Sequence, residues 1–205
     1  LSPWKKDGLL MDPMCGSGTI LIEAAMIARN MAPGLKREFA AEKWPIIDKK
    51  VRDEARAAAR KAISSDGKLN ILGCDIDPER IKDCQVNARR AEVENDIVFT
   101  VKDIKELWIN QLQGTLISNP PYGVKLASAR ALSPIYISIH NTFRKKKGWA
   151  VFVLTADKRF PNYFKRAKPD KVRKLFNGTI EVNYYQYYAG DGQETDKKEE
   201  IEKGG

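Results

Sequence analysis

Short apolar runs alternate with amphipathic stretches along almost the whole chain, the signature of strands separated by crossover helices. Gly8 to Met11 reads as a first strand. Asp12 to Gly18 turns into a helix of about 14 residues carrying Ile20, Leu21, Ala24, Ala25, Ile27, Ala28 and Met31, and Pro33-Gly34 stops it. A long connection, Leu35 to Asn70, contains Trp44-Pro45 and an Ala- and Arg-rich helix from about Asp48 to Ile63; it reads as an insertion. Leu69 to Cys74, Ile97 to Val101, Thr115 to Ser118 and Trp149 to Leu154 read as further strands, with helices at Pro78 to Arg90 and Pro134 to Lys145. Lys171 to Phe176 and Thr179 to Tyr188 flank Asn177-Gly178, the dipeptide suited to a type I′ hairpin, so an antiparallel strand is expected near one edge. The expected architecture is α/β, one domain over residues 1–189 with its insertion at about 35–70; the Gly, Glu and Lys-rich stretch 190–205 is expected to be disordered.

Composition narrows the function classes. The 205 residues suffice for one complete core, and neither a membrane span nor a secretory signal is visible, which gives a cytoplasmic expectation. Three cysteines without a Cys-x-x-Cys pair, and a single histidine, argue against a disulfide framework and a zinc or His-rich site. A net charge of +9 is compatible with a polyanionic partner but weak evidence alone. The chain starts without Met, at what reads as the tail of an earlier segment, so a fragment of a longer protein is expected.

In a doubly wound sheet, ligands sit beyond the carboxyl ends of the strands, and three motifs fall there. Asp12-Pro13-Met14-Cys15-Gly16-Ser17-Gly18-Thr19 is a strand-to-helix turn whose glycines admit close backbone approach, yet it lacks the endings of a P-loop and of a dinucleotide fingerprint. Asp75-Ile76-Asp77-Pro78 ends the second strand, where a carboxylate can accept both hydroxyls of a ribose; Asp103-Ile104 ends the third, within reach of an adenine amine. Taken singly, each acid also suits a helix N-cap or a solvated turn. Asn119-Pro120-Pro121-Tyr122-Gly123 is the most informative segment, because consecutive prolines fix the backbone and remove its donors. The Asn119 oxygen and the Pro120 carbonyl can each accept a hydrogen of a planar exocyclic amine, favouring the pyramidal nitrogen that attacks, while Tyr122 stacks on the base. A Pro-Pro loop that merely ends a strand is the plain alternative.

Basic residues gather at Arg144-Lys145-Lys146-Lys147, Lys158-Arg159 and Lys165-Arg166-Lys168, with Phe160, Tyr163 and Phe164 interleaved. They read either as a phosphate-contacting rim with a stacking loop or as a solvated helix end beside a local core cluster. Trp44 and Trp149 are expected to pack, Cys84 to be a small core side chain, and His140 to have no catalytic role.

The order of motifs resembles the amino-methyltransferase branch of the Rossmann-like S-adenosylmethionine enzymes. More narrowly, Asp12 to Ala25, Arg29-Asn30, Ala32-Pro33-Gly34, Phe39, Trp44-Pro45 and Asp75-Ile76-Asp77-Pro78 resemble the bacterial THUMP-associated RNA methylases, a family that includes ribosomal large-subunit guanine-N2 methyltransferases; the resemblance covers roughly Leu9 to Tyr188. It implies a class I methyltransferase fold with a mostly parallel seven-stranded sheet, S-adenosyl-L-methionine as cofactor and ribosomal RNA as partner. It implies that Asp12, Pro13, Cys15, Gly16, Ser17 and Gly18 face the methionine part of the cofactor, Asp75 and Ile76 its ribose, Asp103 and Ile104 its adenine, and Asn119, Pro120, Pro121 and Tyr122 the target base. Val124-Lys125 departs from the family's Glu-Arg, and the THUMP region expected in the full-length protein is absent. DNA adenine-N6 or protein glutamine methylation, and a non-catalytic RNA-binding module, are the competing readings.

Overall fold

The computed structural model describes residues 2–121, 129–166 and 168–190; the side chains of 129–131, the Val124-Lys125 departure and the expected disordered stretch fall outside the described part. Seven strands form one sheet in the order β3-β2-β1-β4-β5-β7-β6. The strands are β1 (Leu10–Asp12), β2 (Ile71–Asp75), β3 (Ile97–Val101), β4 (Gln113–Ser118), β5 (Gly148–Thr155), β6 (Lys171–Asn177) and β7 (Ile180–Tyr187). The first five run parallel, while β7 pairs antiparallel with both β5 and β6. Strand order grows outward from β1 through β2 to β3, then returns to β4 on the other side of β1. The switch point therefore lies between the carboxyl ends of β1 and β4, where an α/β sheet opens a crevice.

Alternate residues of β1 serve different layers, as strand geometry requires. Leu10 packs with Leu21, Ile22 and Ala25 of α1 (Thr19–Ala28) and with Ile81, Cys84 and Ala88 of α3 (Pro78–Arg90). Leu9 and Met11 face the other layer, where Tyr136, Ile139 and Phe143 of α4 (Ala129–Phe143) and Phe160 of α5 (Phe160–Tyr163) close over Leu116, Val151 and Val153. β5 is buried along most of its length, as expected for a strand covered on both faces. Phe160 lies edge-on to Tyr136 at 5.1 Å between centroids and stacks on Phe164 at 5.6 Å. Phe160 and Phe164 are both fully buried, which makes this group a core cluster and corrects the stacking-loop alternative.

Four of the basic residues around that cluster are engaged within the chain. Arg166 donates to the carbonyls of Trp149, Lys147 and Tyr188, Lys146 to that of Ile109, Lys158 pairs with Glu181 and Arg159 with Asp157. Trp149 is fully buried, but Trp44 is 58 % exposed, against the expectation that it packs.

Several boundaries differ from the sequence reading for local reasons. Helix α1 ends at Ala28, well before Pro33-Gly34, because Asn30 takes a left-handed φ of 54° and closes a Schellman motif: its N–H donates to the Ile27 carbonyl and that of Met31 to Met26. The Asn30 side chain then donates to the Ala62 carbonyl, and Arg29 to the carbonyls of Asp66 and Gly67, which ties the helix end to the return of the insertion. That insertion consists of a 3₁₀ turn at Ala40–Lys43 and α2 (Lys49–Lys61), the latter capped by Asp48. Helix α4 begins at Ala129 and contains Pro134 rather than starting there. In the hairpin, Asn177 pairs with Ile180, so the two-residue loop is Gly178-Thr179. Only Gly178, at φ 60°, is left-handed there, whereas a type I′ turn needs both loop residues so; the turn is of the II′ kind.

Candidate active site

The turn after β1 is held from three sides. The Cys15 N–H donates to the Cys74 carbonyl at 2.8 Å, the Gly16 N–H to Asp75 Oδ2 at 2.9 Å, and the Asn87 amide to the Ser17 carbonyl at 3.1 Å. The Cys84 thiol donates to the Gly16 carbonyl at 3.0 Å and lies 3.7 Å from Cys15 Sγ; the hydrogen bond with Cys84, followed by burial, raises the Cys15 thiol far above its ordinary value. Gly16, at φ 56°, has open space where a Cβ would stand. Gly18, at φ 83°, is tight instead: a Cβ there would come within 3.1 Å of Cys84 Sγ and 3.3 Å of Ile22 and Phe99.

The strand-end acids cap turns and also face the crevice. Asp75 receives the Gly16 N–H on one oxygen and the Asp77 N–H, at 3.0 Å, on the other. Asp77 caps α3 through Glu79 N, and Asp103 caps the 3₁₀ turn Ile104–Glu106 through Lys105 N. Each carboxylate oxygen has a further lone pair, so capping does not exhaust its capacity. A cavity of about 510 Å³ is lined by Pro13, Gly16, Asp75, Ile76, Asp103 and Ile104 together with Asn119 and Pro121. Two regions more than a hundred residues apart in the chain thus share one wall.

Asn119 is exposed at this cavity, Pro120 is buried behind it, and Tyr122 is outside the described residues. Cys15 is buried beneath the turn, and neither it nor Ser17 nor Gly18 lines the cavity. Asp12, at the end of β1, is 2 % exposed and does not line the cavity either. Its Oδ1 accepts the Ser118 hydroxyl at 2.7 Å and the Met14 N–H at 3.1 Å, which links the turn after β1 to the residue directly before Asn119. Burial pushes this carboxyl up to about 7, and neighbouring Asp75 adds to the rise.

Arg80, Lys102 and Lys105 line the same cavity and escaped sequence reasoning, as did Pro134 and Ile135 of α4. Lys102 directly precedes Asp103 at the end of β3, which was the available signal; nothing in the sequence shows that α4 reaches this crevice. Among the described residues no group of His, Cys, Asp and Glu is arranged to hold a metal ion, and no helix is long and apolar enough to cross a membrane.

A glycine turn at the switch point, acids at the next two strand ends and a Pro-Pro loop across from them define the chain as a Rossmann-like methyltransferase domain. The match is narrower than a class: the RMKL-like methyltransferase domain describes residues 1–186, and the chain belongs to that family. It is 37 % identical over 189 residues to the Bacillus subtilis protein named "Putative RNA methyltransferase YpsC", covering 92 % of this chain and 49 % of that one. It is 39 % identical over 197 residues to the ribosomal RNA large subunit methyltransferase K/L of Shewanella frigidimarina, covering 92 % of this chain and 27 % of that one. Among solved structures, SMU.472, crystallised in complex with SAH, superposes with a TM-score of 0.87 at 40 % identity, over 92 % of this chain and 50 % of the other. The chain thus spans about half or less of the length of these relatives.

Proposed function

We propose that this chain is the catalytic domain of an RNA methyltransferase that transfers a methyl group to an exocyclic base amine, guanine N2 of ribosomal RNA above all. The cofactor is S-adenosyl-L-methionine, and the residues present suit it. Asp75 keeps lone pairs for ribose hydroxyls, Asp103 faces the same cavity at the neighbouring strand end, and the open, left-handed Gly16 leaves room for close approach. When bound, this cofactor supplies an electrophilic methyl group on a positively charged sulfur.

The chain's own contribution is to make a poor nucleophile attack. An exocyclic amine delocalises its lone pair into the ring and must pyramidalise to react. In the proposal, Asn119 Oδ1 and the Pro120 carbonyl each accept one amine hydrogen, which stabilises the pyramidal nitrogen as it forms. Two prolines in succession keep that carbonyl in place and bring no competing N–H. Tyr122 stacks on the extruded base and so holds the amine in line. Support comes above all from one observation, the shared cavity that brings Asn119 and Pro121 beside Asp75 and Asp103.

RNA as the substrate, a THUMP-type recognition region in the full-length protein and a cytoplasmic setting belong to the same proposal. They are supported by the printed names of the relatives, by their greater length and by the net charge of +9. Labelled methyl transfer offered to ribosomal RNA, DNA and protein tests the reading: label entering RNA, and within it N2-methylguanosine, is expected. Label in adenine of DNA or in protein glutamine would replace the substrate, and absence of label in all three would leave the non-catalytic module.

A further inference from the structure

The wall of the cavity at the ends of β2 and β3 carries cations that the cofactor does not account for. Lys102 lines it, half-buried, and no hydrogen bond or ion pair reaches its ammonium among the described residues. Lys105 lines it too, exposed, with Asp103 4.0 Å away, while Arg80 is already committed to Asp83. A partly desolvated ammonium is stabilised by an anion. On the cofactor reading above, Asp75 and Asp103 face ribose and adenine, which are neutral, and the ligand's one carboxylate belongs with the methionine at the turn after β1. That turn starts two strands away from β3, about 10 Å at the usual strand spacing. The anion for Lys102 therefore comes with the substrate.

Beyond Lys102 the chain alternates between core and solvent. Ile104 and Ile109 are buried and Leu107 packs against the same core, whereas Lys105 and Trp108 are exposed. Trp is on average a well-buried residue, yet Trp108 is 80 % exposed, its ring tethered by the Nε1–H donated to Asn110. Lys102, Lys105 and Trp108 thus follow one another at every third residue, from the cavity wall to open surface, over at most about 20 Å of chain. Glu106 is the one acid between Lys105 and Trp108.

We propose that Lys102, Lys105 and Trp108 form the path by which the substrate strand leaves the crevice: backbone phosphates beside the target nucleotide rest on the two lysines, and an unpaired base beyond them stacks on Trp108. The proposal rests on RNA as the substrate and on the cofactor assignment above. The spacing suits it, because β3 stands three strands from β4, which puts Lys102 about 14 Å from the loop assigned to the target base. The nucleotides flanking an extruded base can bridge such a gap. Phosphate contacts position the strand without reading its sequence, and stacking on an indole tolerates any base. None of the three side chains touches the reacting amine, so they raise the occupancy of the productive complex and leave the transfer step within it alone.

The test is binding of a fluorescently labelled single-stranded ribosomal RNA fragment over a range of salt, by the unmodified chain and by Lys102→Gln, Lys105→Gln, Trp108→Phe and Trp108→Leu. Calorimetry with S-adenosylhomocysteine and steady-state methyl transfer accompany it. Each lysine variant should flatten the slope of log affinity against log salt by about 0.7, the value for one phosphate contact on a single strand. Trp108→Leu should weaken RNA binding about fivefold or more while Trp108→Phe keeps most of it, since stacking needs an aromatic ring. Affinity for S-adenosylhomocysteine should stay within about twofold in every variant, and the defect should appear in KM for RNA rather than in kcat. An unchanged slope in either lysine variant, or equal RNA binding by Trp108→Leu and the unmodified chain, overturns the proposal. So does a parallel loss of S-adenosylhomocysteine affinity, which would make the lysines cofactor ligands. An unmodified chain that binds S-adenosylhomocysteine but no RNA at any salt overturns the RNA reading itself, a result distinct from these.

Discussion

Replacing Asp12 with Asn isolates the cost of its buried carboxyl in the cofactor-free fold. An Asn side chain keeps an oxygen for the Ser118 hydroxyl and the Met14 N–H but cannot ionise. In the unfolded chain Asp12 titrates near 3.8, in the fold at about 7. Because the folded value is the higher one, the fold binds the extra proton between these two pH values. The stability this confers is fully present below pH 4, falls as pH rises toward 7, and is flat above it. About 3 pH units at 1.36 kcal/mol each amount to roughly 4 kcal/mol over the whole window, of which about 2 kcal/mol falls between pH 5 and pH 7. Urea unfolding of both proteins without cofactor, at pH 5, 6, 7 and 8, reads this directly. Asp12→Asn should gain about 2 kcal/mol on the unmodified chain between pH 5 and 7 and little more by pH 8. A difference that stays constant across this range would refute the claim that Asp12 is forced toward neutrality by burial.

Gly18→Ala should destabilise by about 2–4 kcal/mol, from the left-handed backbone and from the crowding against Cys84, Ile22 and Phe99, lowering Tm by roughly 5–15 °C in calorimetry. Phe160→Ala should cost about 3–5 kcal/mol in urea unfolding, because a fully buried ring packed on Tyr136, Phe164 and Tyr185 is removed. The same variant should leave the salt slope of RNA binding unchanged, whereas a stacking role would also weaken binding itself.

Much of this fold is legible in the sequence because its elements carry their own punctuation. Helix α3 spans Pro78–Arg90 as read, since Asp77 caps it and Pro78 occupies the first turn, and β3 spans Ile97–Val101 as read. The end of α1 was misread because Met31 continues the apolar period, while what stops the helix is a left-handed Asn rather than the usual Gly. In the hairpin the glycine is visible but the register is not, since that depends on which residues pair across the strands. The segments that line the cavity are legible for the same reason that strand ends are: glycines, prolines and acids mark them. Arg80, on α3, carries no such mark, and Lys102 and Lys105 are marked only by standing beside Asp103. The Asp12–Ser118 hydrogen bond joins residues 106 positions apart and arises from the pairing of β1 with β4, which the strand order alone reveals.

The most direct test of the account is Asn119→Ala, assayed in parallel for S-adenosylhomocysteine binding by calorimetry and for labelled methyl transfer to ribosomal RNA. Asn119 is exposed at the cavity and holds up no buried layer, so fold and cofactor affinity should stay within about twofold. Methyl transfer should fall by about a hundredfold or more through kcat, as when one preorganised hydrogen-bonding group is removed from a reacting centre. Equal rates of transfer by the variant and the unmodified chain would contradict the assignment of the acceptor loop.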